Sequence, residues 1–335
     1  MTDKTYSSEI ERDIKVAVEN FEVMLREQVA RNECMRAERE EKEGAGKAAS
    51  LVANSKGDKV IIGTVGGDGI GPIIMSEVQK VLESVLRDRL AGGSAVLKPI
   101  EGFTLENRLA AGKTVPDSVM AAMRECDVLL KGPTTTPNAA MNTANIESAN
   151  VYLRKAFDLF ANVRPVWVPE EGIDWTFFRE NTEGEYALGS RGEYISGELA
   201  VDFKVTTDEG SKRIARAAYE YARANGKTHV SIVTKANIMK KTDGNFLNIC
   251  RQVAKDYPEI EIDSWFIDIM AANLVNKDIR SKFQVFVLPN LYGDIITDEA
   301  AQIQGGVGTA GSANIGNNYA IFEAIHGSAP RMIEE

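Results

Sequence analysis

The chain has 335 residues, more than one hydrophobic core usually organises, so two domains are expected. Its 44% apolar and 26% charged residues exclude fibrous and disordered classes and leave an ordinary globular protein. The net charge of −10 argues against nucleic acid or an anionic membrane as partner, although a local arginine cluster overrides the global field for a small anionic ligand.

Cys34, Cys126 and Cys250 are few and widely spaced, which fits a reducing compartment rather than a disulfide framework or a cysteine zinc site. No stretch approaches the about 20 apolar residues of a membrane span. The charged N-terminus carries no secretory signal. A cytoplasmic location is therefore expected.

Residues 1–56 read as a helical extension and linker. Ser8-Glu9-Ile10-Glu11 offers a capping box, and Ile10, Ile14, Val18, Phe21, Leu25 and Val29 recur at helical spacing. The helix becomes wholly charged over 36–43 and runs into a Gly/Ala/Ser linker at 44–50. Docking on the protein or on a sister chain is expected of it, rather than chemistry.

The globular part starts with a strand at 59–64, a glycine loop, and a helix reaching residue 90. The loop reads Gly66-Gly67-Asp68-Gly69-Ile70-Gly71-Pro72. Its glycines miss the G-x-G-x-x-G spacing and no Walker lysine follows, so a Rossmann fingerprint is rejected. What it retains is backbone able to approach something closely, with Pro72 at a first helical position. A helix at 116–125, a buried strand at 128–131, a threonine- and asparagine-rich loop at 132–145 and a helical pattern over 146–160 come next. Residues 177–179 are strand-like, and 184–207 has the glycines and alternation of a β-hairpin arm. Helices at 211–225 and 244–257 alternate with strands at 229–233, 260–267 and 285–288. The alternation predicts α/β with a largely parallel sheet.

Three groups of residues carry chemistry. Asp294 and Asp298 are four apart at the start of a helix, after Gly293 marks a turn. Two carboxylates one turn apart repel unless a cation, such as a hard divalent ion, lies between them, or unless they form an acidic first turn on the helix dipole. Arg154, Arg164 and Arg179 lie near element boundaries, where three guanidinium groups suit a polycarboxylic acid, though each singly suits a neighbouring Asp or Glu. Ser148 and Asn150 add short neutral groups on the turn before Arg154. Lys235 and Asp268 follow strands, and Tyr186 lies just past Arg179-Glu180-Asn181. A phenol beside a lysine can relay a proton.

These residues carry a resemblance. Segments 67–72, 131–133, 150–165, 178–181, 235–240, 290–298, 305–316 and 323–330 occur in the order found in the isocitrate/isopropylmalate dehydrogenases, the metal-dependent β-decarboxylating family. The resemblance covers residues 59–332. It implies a two-domain fold with a large, mainly parallel sheet: 57–159 and 305–335 in the large cofactor domain, and 160–304 in a small dimerisation domain bearing the arm. It implies Asp294 and Asp298 as Mg²⁺ or Mn²⁺ ligands, with Asp268 supplied by the second subunit of a homodimer. Arg154, Arg164 and Arg179 match the substrate-carboxylate arginines. Tyr186 and Lys235 match the proton-transfer pair, the lysine reaching across the dimer interface. Thr136, Asn237, His326, Gly327, Ser328, Ala329 and Arg331 fall where the family holds its cofactor.

Ser148 and Asn150 would be left unpaired in an apolar pocket for an isopropyl group, so isocitrate is the expected substrate. The implied reaction is metal-assisted oxidation of the hydroxyl, hydride transfer, loss of CO₂, and return of a proton from Tyr186. Glu147 departs from the basic residue common at its position. Arg331-Met332 leaves NAD and NADP both open. Family members continue past the His326 loop, so a product ending at Glu335 is expected to be poorly stable or inactive alone. A dehydrogenase for a related 2-hydroxy acid and a non-catalytic regulatory subunit are the alternatives.

Overall fold

The computed structural model describes residues 7–44, 59–137, 146–188 and 191–333. The linker expected at 44–50 and most of the threonine- and asparagine-rich loop lie outside these residues. The extension forms one long helix, α1 (Ser8–Gly44), capped a residue earlier than expected: Ser7 Oγ accepts from the Ile10 amide at 3.3 Å.

Chain order then runs β1 (Val60–Val65), α2 (Gly71–Val85), α3 (Arg87–Ala91), β2 (Ala95–Pro99), α4 (Leu105–Ala111), α5 (Asp117–Arg124), β3 (Val128–Lys131), α6 (Ala149–Ala156), β4 (Ala161–Val168) and β5 (Ile173–Glu180). The arm is the short pair β6 (Glu193–Ile195) and β7 (Leu199–Val201). It is followed by α7 (Asp208–Ala224), β8 (His229–Thr234), α8 (Thr242–Val253), β9 (Glu261–Phe266), α9 (Ile267–Val275), β10 (Val285–Leu288), α10 (Asn290–Ile303), β11 (Gly311–Ile315) and β12 (Ala320–Ala324).

Ten strands form one sheet in the order β2-β1-β3-β12-β11-β4-β5-β10-β8-β9. Two parallel blocks are joined by antiparallel pairing of β12 with β11, β11 with β4, and β4 with β5. The chain builds the first block, crosses to build the second, and returns with the β11–β12 hairpin to fill the middle. Apolar clusters cover the sheet: one around Leu129, Phe103 and Tyr319, one where α7 and α8 pack on Val230 and Ile232, and one around Trp175 and Phe286. The fold is the mainly parallel α/β architecture expected.

The sheet brings the ends of β3, β5, β10 and β12 to one edge, where open α/β sheets form their sites. The glycine loop serves this edge differently from expectation. Its close neighbour is the protein's own backbone. Asp68 N donates to Pro133 O at 2.8 Å and Ile70 N to Ser328 O at 3.0 Å. Gly69 has φ +61, and a Cβ there would lie 2.0 Å from Ser328 O. The loop thus clamps the segments after β3 and β12 together.

Candidate active site

The three arginines meet in one pocket of about 200 Å³, together with Thr134, Ser148, Asn150, Tyr186, Asp294 and Glu323. Each comes from a different element. Arg154 is on α6, Arg164 in the middle of β4, and Arg179 near the end of β5. All three are buried, at 8%, 5% and 0% exposure. Burial and the charges of Arg154 and Arg164, only partly offset by Asp294, bring Arg179 down to about 9. It stays charged at neutral pH. The Nε atoms of Arg154 and Arg164 are buried without a hydrogen-bond acceptor. Buried guanidinium donors are thus left without acceptors here, a condition for holding an anion.

Asp294 and Asp298 face this cluster from α10. Arg179 Nη1 donates to Asp294 Oδ1, and Arg164 lies 3.5 Å from Asp294 and 3.4 Å from Asp298. Burial opposes ionisation of Asp294, and Arg179 with the Tyr186 hydrogen bond outweighs it, so its pKa is lowered. Asp298 is raised by burial and by Asp294's charge. Tyr186 Oη donates to Asp294 Oδ2 at 2.7 Å, and the Tyr186 ring lies 5.2 Å from the Arg179 guanidinium carbon. Burial and then Asp294 raise the phenol's pKa, so it keeps its proton at neutral pH.

Gly293 is not a turn. α10 begins at Asn290, and Gly293 lies inside it because a Cβ there would sit 2.6 Å from Arg179 Cγ. The glycine makes room for the arginine.

Ser148 and Asn150 flank the opening. Ser148 sits at the N-cap of α6 yet makes no side-chain capping bond, so its hydroxyl is not spent on the helix. Asn150 Oδ1 accepts from Thr134 Oγ1 at 3.0 Å. Glu147 pairs with Lys155 at 3.2 Å. His326 and Gly327 line the same pocket, with His326 Nδ1 2.9 Å from Gly327 O. Ser328 is buried and its hydroxyl lies 2.6 Å from that of Thr135. Ala329 has φ +39, while Thr136 and Arg331 are exposed beyond the pocket.

Lys235, Asp268 and Asn237 are not in this pocket. Lys235 Nζ donates to Asp268 Oδ1 at 2.5 Å, beside the exposed Ile238, Phe266 and Ile269. Asn237 is exposed in the segment after β8. Asp294 and Asp298 fit two oxygen ligands of a hard divalent cation, and their ion pairs with arginine show that they attract positive charge. Among the described residues no group of three His, Cys, Asp or Glu stands close enough to complete a set.

Residues without a role in the sequence reading also build the site. Asn290, 1% exposed, accepts from Arg179 Nε at 2.9 Å and Nη2 at 2.7 Å. Arg164 Nη1 donates to Thr297 Oγ1. Glu323 pairs with Lys131 at 2.8 Å and lies 3.6 Å from Arg154, because β12 and β3 pair in register at these two residues. All lie in the motif segments, but letters alone do not say which side chain a packed neighbour requires.

The family described as isocitrate/isopropylmalate dehydrogenase matches residues 61–334. A Caenorhabditis elegans protein named probable isocitrate dehydrogenase [NAD] subunit alpha, mitochondrial, is 38% identical over 294 residues, covering 85% of this chain and 78% of its own. The Macaca fascicularis isocitrate dehydrogenase [NAD] subunit alpha, mitochondrial, is 40% identical over 272 residues, 79% of this chain and 74% of its own. The crystal structure of isocitrate dehydrogenase from Methylococcus capsulatus superposes with a TM-score of 0.71 at 36% identity, covering 82% of this chain and 79% of the other. The relatives' names correct one expectation: they are mitochondrial, so the cytoplasmic placement drawn from cysteine usage and the N-terminus does not stand.

Proposed function

Because the chain belongs to the isocitrate/isopropylmalate dehydrogenase family, we propose that it oxidises and decarboxylates isocitrate to 2-oxoglutarate and CO₂, with NAD as hydride acceptor. The observation that carries this is the meeting of Arg154, Arg164 and Arg179 with Asp294 and Tyr186 in one pocket. Guanidinium groups grip carboxylates through paired N–H donors, and three suit a tricarboxylate. Ser148 and Asn150 extend this polar lining to the pocket mouth, where an isopropyl group would leave them unpaired. NAD is chosen over NADP on the [NAD] relatives.

Asp294 and Asp298 would hold a divalent cation, whose chemistry would be polarisation of substrate oxygens, and a nicotinamide nucleotide would supply hydride acceptance. The chain's own residues do the rest. The arginines fix the carboxylates and orient the carbon skeleton. Asp294 holds the Tyr186 phenol by its proton, and the raised pKa keeps that proton available for return to carbon after CO₂ leaves. Residues around His326 and Gly327 form the wall for the dinucleotide, with Thr136, Ser328, Ala329 and Arg331 contributing around it; Asn237, which lies with Lys235 outside the pocket, joins it only from a second chain.

Lys235 and Asp268, which pair with each other apart from the pocket, complete the site from a second chain in this reading. That chain is either a copy of this one or, as the word subunit in the relatives' names suggests, a different partner. The test is steady-state turnover with Mn²⁺, a panel of 2-hydroxy acids, and each nucleotide. Isocitrate with NAD is expected to be the best pair; preference for isopropylmalate, or for NADP, overturns the corresponding part.

A further inference from the structure

α1 lies across α7 and the base of the arm, and it is held there by side chains along its length. Asn20 Nδ2 donates to Glu193 at 2.6 Å. Phe21 stacks on Phe203 with centroids 5.1 Å apart. Arg39 Nε donates to Glu209 Oε2 at 2.8 Å. Arg31 reaches deepest: Nη1 donates to Glu183 Oε1 at 2.6 Å and Nη2 to Thr182 Oγ1 at 3.0 Å.

Glu183 is an unusual place for a charge. It is 2% exposed, and Glu180, three residues before it, is 3% exposed. The neutral donors around them are distributed between the two carboxylates. Thr182 N, Thr182 Oγ1 and Glu183 N serve Glu180. Thr207 N and Oγ1 serve Glu183. Neutral donors stabilise a buried carboxylate only in part, and a cation in contact is the usual remedy. For Glu183 that cation is Arg31, on a helix outside the sheet.

From Glu183 the hydrogen bonds run directly into the candidate site. The Glu183 carbonyl oxygen accepts from Asn290 Nδ2 at 3.0 Å. Asn290 Oδ1 accepts from two nitrogens of Arg179, and Arg179 reaches Asp294, which holds the Tyr186 phenol. Segment 180–186 therefore carries near one end Glu183, the carboxylate that Arg31 of α1 pairs with, and at the other the phenol assigned to proton return. Gly184 between them packs tightly on Asn290, where a Cβ would lie 3.0 Å from that residue's Cβ.

We propose that Arg31 is a positioning residue for Arg179, acting through Glu183 and Asn290, so that the docked N-terminal helix sets the geometry of substrate binding. This deepens the proposed function and rests on it for the identity of the substrate. A buried carboxylate that loses its cation is relieved by taking a proton or by moving toward water. Either outcome displaces the 183 backbone, then the Asn290 amide, then the guanidinium it orients.

The test compares Arg31→Gln with Arg39→Gln in the full chain, since Arg39 also holds α1 but meets the carboxylate of Glu209 rather than that of Glu183. Arg31→Gln is expected to raise KM for isocitrate about tenfold or more, as displaced binding groups do, while kcat changes little. Arg39→Gln is expected to leave KM where it is. Adding Glu183→Gln to Arg31→Gln removes the unpaired charge and is expected to recover most of the KM. Arg31→Lys, which keeps the charge and loses the fork, is expected to fall between, and it stands in if Arg31→Gln does not fold. Hydrogen exchange of peptides covering 180–188 and 290–298 is expected to quicken in Arg31→Gln and not in Arg39→Gln. A lowered kcat at unchanged KM with unchanged exchange marks a merely structural helix and overturns the proposal, as does an equal KM shift in both variants. If the wild type ignores isocitrate while exchange still responds to Arg31, the substrate assignment has failed and the coupling has not.

Discussion

Tyr186 and Asp294 form the pair on which the proposed chemistry turns, and the phenol can be tested by removing little. Tyr186→Phe deletes one oxygen from a side chain that lies over Arg179 and leaves its ring contact in place. Proton transfer by a positioned group is typically worth about 10²–10⁴-fold, so kcat for isocitrate should fall by at least about 100-fold with KM within a few-fold. A Tyr186→Phe enzyme of near-normal kcat would take the phenol out of the reaction. Glu323 is a different kind of residue, supporting the site through charge. Burial pushes its carboxyl up, but Lys131 and Arg154 outweigh burial and hold it at about 2. Its folded pKa lies below the about 4.3 of an unfolded chain, so its stabilisation is present above that pH and fades as pH falls toward about 2. Glu323→Gln should therefore cost on the order of 3 kcal/mol at pH 7 and progressively less in acid. Urea unfolding at pH 7 and pH 3.5 would show it, and an equal cost at both would remove the electrostatic explanation. The arginines and Asp294 were singled out in the sequence because they lie near element boundaries and in segments that match the family, which is what gave them roles. Asn290, Thr297 and Glu323 were not, since hydrogen-bond partners across 111, 133 and 192 residues depend on strand register.

Among the elements, the short apolar runs β3, β8 and β10 announced themselves, as buried parallel strands do. β2 and β4 did not. β2 is an edge strand ending in Pro99, and β4 interleaves Asn162, Arg164 and Pro165 with apolar residues, so neither shows a clean period. α9 was hidden for another reason: it continues from β9 without a turn signal, and Asp268 lies in its first turn. The start of α10 was also read late, because a glycine in a helix looks like a boundary. Gly293 instead answers to packing, which yields a sharp prediction. In Gly293→Ala the new methyl meets the Cβ and Cγ of Arg179 at 2.7 and 2.6 Å, the part of that side chain least able to move. Overpacking of this kind costs about 1–3 kcal/mol, and better helix propensity returns only about 1 kcal/mol. The variant should melt lower than wild type and bind isocitrate more weakly. An unchanged KM would mean Arg179 relaxes without losing its grip.

At the scale of the whole molecule, the residues assigned to the proposed site fall in two separate places on the chain. Tyr186 sits with Asp294 in the arginine pocket, while Lys235 pairs with Asp268 beside the exposed Ile238 at 65% and Ile269 at 45%. Apolar side chains gathered around a charged pair are what an interface leaves bare in a single chain. A two-fold contact would carry Lys235 and Asp268 of each chain toward the pocket of the other. Two inactive variants test this together. Tyr186→Phe spoils the pocket half and Lys235→Ala the reaching half, so each homodimer has no intact site. In a mixed dimer, the pocket of the Lys235→Ala chain keeps its Tyr186 and receives Lys235 from the other chain, restoring one site of two. Random assembly makes about half the dimers mixed, so co-expression should return about a quarter of wild-type turnover. Sites formed within single chains would return none. Sites shared with an unlike subunit would also return none until that subunit is added, and turnover of the wild-type chain alone separates those two cases, because a site formed within one chain needs no partner.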